Sequence, residues 1–300
     1  MDPRWDCSYP CRRTCGRERI SAVKITLRTI RLLAVAALVA TVVGVASTSA
    51  AQGPPEGFTL PSQAAEVAPG VFFLGTAVEH GIPVVGYAYA HHRNGHNGGP
   101  GGGGDPEPTP PDASSCYSFI ANGAHWRSAE DVVVDPATVS GLGVLISQVE
   151  AWMRAWEDQS TVSGIYRDFG SGTGLSADTT STDGTNEVYF DTIADPGVLG
   201  YTIVWSTRTG PPRSRGIVEA DIVVEDGEWA WWTGGGTIGP AQLDLGAVFR
   251  HEAGHYIGLG HTNQTTECAE QTMYPSLASG DASKQSLGVG DIAGVEDLHN

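Results

Sequence analysis

The stretch HEAGHYIGLGH, His251 to His261, sets three histidines, one glutamate and three glycines at fixed intervals. On a helix, residues four apart stand one above the other on the same face, so His251 and His255 can offer two imidazoles to one ion. Glu252 lies one step round, beside that ion rather than on it, where a base could take a proton from an activated water. A helix that continued would carry His261 away. Gly258 supplies the break, because glycine tolerates the left-handed conformation that ends a helix and reverses the chain. His261 then returns as a third ligand and leaves a fourth position for water, the arrangement of catalytic zinc. A bare His-Glu-x-x-His pentad arises by chance. Adding the glycine and the third histidine at their offsets lowers the chance rate to on the order of one in ten thousand per chain of this length.

Upstream, the pattern predicts a helix from about Leu243 through His255, with Leu245, Val248 and Phe249 as core contacts. Another helix is predicted over DPATVSGLGVLISQVEAWMRAWED, with Asp135 as N-cap and Pro136 at the first helical position. Its apolar stripe is Leu142, Leu145, Ile146, Val149, Trp152, Met153 and Trp156. Strand candidates are CYSFIA and VVV before it, and EVYFDTI, YTIVWS and IVEADIVV after it. Strand, helix, several strands and helix again predict an α+β domain built on one mixed, twisted sheet. The tryptophans Trp229, Trp231 and Trp232 read as core or cleft cover rather than a binding platform.

Charge divides the chain. Its net charge is −17, yet residues 1–50 hold eight of the 17 basic residues and three of the 34 acidic ones. The acidic remainder repels phosphate backbones, which argues against a nucleic-acid partner. In the basic leader, Arg28 and Arg31 precede 15 uncharged residues, Leu32 to Ala46, and small residues then suit cleavage after Ala50 or Ala51. As a helix that run rises only about 22 Å, too short for a stable membrane anchor. Residues 1–51 are therefore expected to be a signal peptide with a long basic n-region, and the protein to be secreted. Cys116 and Cys268 alone follow the leader. In an exported chain they are a disulfide candidate, with a zinc-capping thiolate and two free thiols as the rival readings.

Residues 52–92 contain the strand-like runs GVFFLG and IPVVGYAYAHH and are expected to be a pro-segment or accessory hairpin. The Gly/Pro-rich stretch over 93–115 cannot build a core and reads as a linker. His91, His92 and His96 border it and read as solvated linker histidines rather than ligands. The linker sets off residues 116–300 as the catalytic domain.

HEAGHYIGLGH resembles the extended zinc signature of metzincin metallopeptidases, His-Glu-x-x-His-x-x-Gly-x-x-His. That clan carries a methionine turn beneath the zinc, and CAEQTMYPS puts Met273 12 residues after His261. Met-Tyr-Pro and the closing GDIAGVEDLH, Gly290 to His299, are similar to the matrixin branch. The resemblance implies a metzincin-like zincin domain with an N-terminal helix, an active-site helix and a C-terminal helix. It implies one catalytic zinc on His251, His255 and His261, Glu252 as general base, and protein or peptide substrates. Pro275, Ser276 and Leu277 become candidate walls of the specificity pocket, and an edge strand is expected to hold the substrate. Two departures stand out. Residues 52–115 lack the Pro-Arg-Cys-Gly context that caps the zinc of latent matrixins, and Pro275 stands where other branches place a tyrosine near the oxyanion. Acidic turns offer candidate calcium ligands at Asp178 and Asp183, and at Asp226 and Glu228, although such turns are usually only solvated.

The leading expectation is a secreted, monomeric zinc endopeptidase. A zinc amidase or self-processing enzyme differs only in the bond attacked. A surface-binding module with a structural metal would not need Glu252.

Overall fold

The computed structural model describes residues 57–94, 112–211 and 213–300. The expected leader, its cleavage positions, His96 and most of the linker lie outside these residues. The first strands are β1 (Ala65–Ala68), β2 (Val71–Glu79) and β3 (Ile82–Arg93), followed by β4 (Ser118–Phe119) and β5 (Glu130–Val134). Three short helices come next, α1 (Pro136–Ser140), α2 (Ile146–Met153) and α3 (Ala155–Asp158). Then come β6 (Tyr166–Ser171), β7 (Glu187–Asp191), β8 (Val198–Thr207), β9 (Ile217–Glu225), β10 (Trp231–Trp232) and β11 (Leu243–Asp244). The helix α4 (Leu245–Ile257), β12 (Leu259–Gly260), β13 (Ser276–Leu277) and α5 (Val289–His299) complete the order. No helix among the described residues is long and apolar enough to cross a membrane.

One nine-stranded mixed sheet runs β1-β2-β3-β8-β9-β7-β5-β6, with β13 also on β3. β5, β6, β7 and β9 run parallel to one another, while β8 runs antiparallel to β9 and to β3. The first nine residues of β8 are buried, because both faces of the sheet are covered. On one face α2, α3 and α4 pack with Val149, Met153, Trp156, Val248 and Phe249 in the larger core. On the other, Phe58, Leu74, Ala88, Tyr201 and Trp205 form a second cluster.

Two expectations change. The helix foreseen over 135–158 begins as expected, with the Asp135 side chain accepting from Ala137 N at 2.8 Å. It stops at Gly141, and Gly143 adopts φ 70°, so the chain restarts as α2 and α3. Leu145 consequently points outward, 64% exposed. The hairpin foreseen in 52–92 exists as β2–β3, but it is no accessory to a domain starting at 116. β3 pairs with β8 from Val84↔Thr207 to His92↔Val198, which makes it an interior strand of the same sheet.

Candidate metal centre

α4 presents the site. Asp244 caps its start by accepting from Ala247 N at 3.1 Å, and Gly258 ends it at φ 117°. A side chain at Gly258 would lie 2.3 Å from Ala124 O, so both the turn and the close approach require glycine. The reversal brings His261 back to the helix. His255 Nε2 lies 3.1 Å from His251 Nε2 and 3.1 Å from His261 Nε2. The opposite ring nitrogens of the helical pair are fixed by carbonyls: His251 Nδ1 donates to Thr272 O at 2.7 Å and His255 Nδ1 to Leu259 O at 2.8 Å. Carbonyls only accept, so both Nε2 atoms carry lone pairs and aim them at one point. Burial holds the His255 imidazolium form down to about 4, and holds His251 and His261 well below their ordinary value, with neighbouring histidines adding to it. Converging neutral imidazoles repel one another unless a cation sits among them. The donor set fits zinc.

Glu252 is fully buried beside them. Its Oε2 accepts from Thr202 Oγ1 at 2.5 Å, while Oε1 has no hydrogen-bond partner. Burial pushes this carboxyl up to about 8, with the Thr202 bond opposing. On β8, Gly200 lets the strand close on the carboxylate: a Cβ there would stand 3.0 Å from Oε1.

Met273 lies beneath the helix, 1% exposed, and an added Cβ at Gly254 would fall 2.1 Å from its Sδ. Asp291 holds that turn, accepting from Thr272 N at 2.6 Å, Met273 N at 3.1 Å and Gly288 N at 2.8 Å. Cys116 and Cys268 are joined in a disulfide, which ties the segment before β4 to the approach of the methionine turn. Pro275, Ser276 and Leu277 are buried, and β13 pairs with β3.

The expected acidic turns divide. Asp178 and Asp183 come together with Glu219, whereas among the described residues Asp226 and Glu228 join no comparable group. Asp226 Oδ1 accepts from Thr192 Oγ1, and Glu228 N donates to Glu225 Oε1. Nothing here supports calcium.

Sequence reasoning missed four contributors: Thr202, Gly200, Asp291 and His91. The first two lie on a strand read only for hydrophobicity. Asp291 sits at the acid-favouring third position of α5, a signal that could have found it. His91, expected in solvent, is 1% exposed. Its ring stacks on His251 at 3.8 Å, and its Nδ1 lies 3.7 Å from Glu252 Oε1.

Residues 155–300 match the matrixin family model, which is consistent with a matrixin-like metzincin. That family consists of zinc metallopeptidases, which agrees with the histidine triad. No curated protein matches the chain.

Proposed function

We propose that the chain is a secreted zinc endopeptidase in which His251, His255 and His261 hold the metal and Glu252 is the general base. The observation that carries this reading is the buried Glu252 Oε1, which accepts no hydrogen bond, beside three converging imidazoles. A purely structural metal site has no use for such a carboxylate.

Zinc in this triad would supply Lewis acidity, lowering the pKa of a water towards neutrality and polarising the scissile carbonyl. The positive charge would also bring Glu252 back towards its ionised form. Thr202 occupies Oε2, so Oε1 is the oxygen that takes the proton from the attacking water and returns it to the leaving amine. Met273 and Asp291 hold the floor under the ligands, and Thr272 O and Leu259 O keep the rings oriented. Pro275, Ser276 and Leu277 line the specificity side. Protein or peptide substrates follow from the family. A disulfide in the chain and the leader pattern support secretion, and the protein is proposed to act as a monomer.

The test is zinc content and hydrolysis of an unfolded protein over long incubation, for the parent, Glu252→Ala and His255→Ala. Glu252→Ala is expected to keep about one zinc per chain and lose hydrolysis; His255→Ala is expected to lose the zinc. Equal hydrolysis by parent and Glu252→Ala would remove the assigned base.

A further inference from the structure

A peptide to be cut must bring a carbonyl to the triad and Glu252, and an extended chain does this by adding to a sheet edge. The strand beside Glu252 is β8, through Gly200 and Thr202. β9 takes one side of β8, and β3 takes the other. His91 of β3 is the register partner of Gly200.

Alternate side chains of a strand face opposite ways. Ala88 and Ala90 of β3 enter the cluster on the far face, while Tyr89 and His91 stand over the metal ligands. Tyr89 stacks on His255 at 4.6 Å, and His91 stacks on His251 at 3.8 Å. A Cβ at Gly70, in the turn before β2, would lie 3.4 Å from the His261 ring. Each of the three ligands is thus roofed by residues 70–91. The specificity side is engaged as well. β13 runs parallel to β3, with Pro275 O accepting from His92 N at 3.1 Å and Leu277 O from Asn94 N at 2.9 Å. β3 therefore takes the backbone hydrogen bonds on both sides of the slot. What stays open is a cleft of about 630 Å³ beside His261, walled in part by Val71, Tyr87 and Tyr89 of the same hairpin.

We propose that β3 occupies, in cis, the slot of an extended peptide substrate, with His91 lying over Glu252 and His251, so that the chain is latent while residues 70–93 are in place. The proposal rests on the zinc-peptidase reading above. Latency here needs no cysteine: an aromatic and a histidine on one strand cover the site.

The test compares the full zinc-loaded chain with its Ala88→Asp variant, using a peptide hydroxamate as the probe. Ala88 is fully buried on the face away from the metal, so a carboxylate there favours release of β3 without touching the ligands. The readouts are zinc per chain, the Kd of the hydroxamate, and hydrogen exchange at the β3 and β8 amides. The parent is expected to bind the hydroxamate at least ~100-fold more weakly than Ala88→Asp, the penalty of a rarely populated competent state. Saturating hydroxamate is expected to raise exchange across β3 in the parent. Two results overturn the proposal: hydroxamate bound to the parent as tightly as to the variant with β3 still protected, or a variant with zinc bound and β3 released that still fails to bind it. If Ala88→Asp does not fold, Gly86→Val replaces it, since its Cβ would press on the Trp205 ring at 2.7 Å. A parent that binds no zinc overturns the peptidase reading, and this proposal with it.

Discussion

The imidazole of His91 lies on that of His251, ring centroids 3.8 Å apart and 15° from parallel, although 160 residues separate them in sequence. Such a stack contributes about 0.5–1.5 kcal/mol, up to roughly tenfold in an equilibrium. His91→Ala is expected to raise the initial rate of peptide cleavage by several-fold up to about tenfold at equal zinc content. His91→Phe keeps an aromatic stack and is expected to raise it less. Equal effects of the two would assign the hold on β3 to something other than the stack.

The helix and the methionine turn touch at Gly254, where an added Cβ would fall 2.1 Å from Met273 Sδ and 2.7 Å from the Trp156 ring. Gly254→Ala is expected to lower stability by about 1–3 kcal/mol through overpacking and to weaken zinc binding. Thermal unfolding and chelator competition measure the two. An unchanged melting temperature would mean that Met273 has room to move.

The carboxylates Glu187, Glu219 and Asp221 lie close together, and among the described residues no arginine or lysine forms an ion pair with them. Burial first, then repulsion from nearby carboxylates, pushes Glu187 up to about 7 beside Asp183 and Asp178 and Glu219 up to about 8 beside Asp178, and holds Asp221 well above its ordinary value beside Glu219 and Glu187. Each binds its proton more tightly folded than unfolded. Stability is therefore fullest below the unfolded value near 4.5 and is lost as pH rises through the folded value near 8. Between pH 6.5 and 8, with metals chelated, the melting temperature is expected to fall, and to fall less in Glu219→Gln. A rise over that window in the parent would contradict the assignment.

The disulfide closes a sequence separation of 152 residues. Replacing both Cys116 and Cys268 with serine is expected to cost about 2–5 kcal/mol, read as a lower urea midpoint. Because Cys268 lies five residues before Met273, zinc retention is expected to suffer as well. A variant with the parent's midpoint would make the bridge incidental.

The zinc signature was legible because its geometry is local: a helical spacing of four and one glycine turn carry all three histidines. Met273 was legible only through the resemblance, by its place 12 residues after His261. The core strands β5, β7, β8 and β9 announced themselves as apolar runs, and the closing helix over 290–299 appeared almost at its observed bounds. The break at Gly141 and Gly143 was written in the sequence, but the apolar stripe across it was given more weight than the two glycines. The roof over the site was not legible. Nothing near His91 reveals that its strand will pair with β8, more than 100 residues away, and a glycine-rich stretch beside it suggests solvent instead. The gathering of Asp178 and Asp183 with Glu219 depends on the same kind of long-range pairing.

The most direct measurement of the central claim is peptide cleavage by the Ala88→Asp chain with and without Glu252→Ala, at equal zinc content. The account expects cleavage by the first and, in the second, a loss of at least 100-fold with the zinc retained. Equal cleavage by both, or none by either while zinc and the hydroxamate are bound, would contradict it.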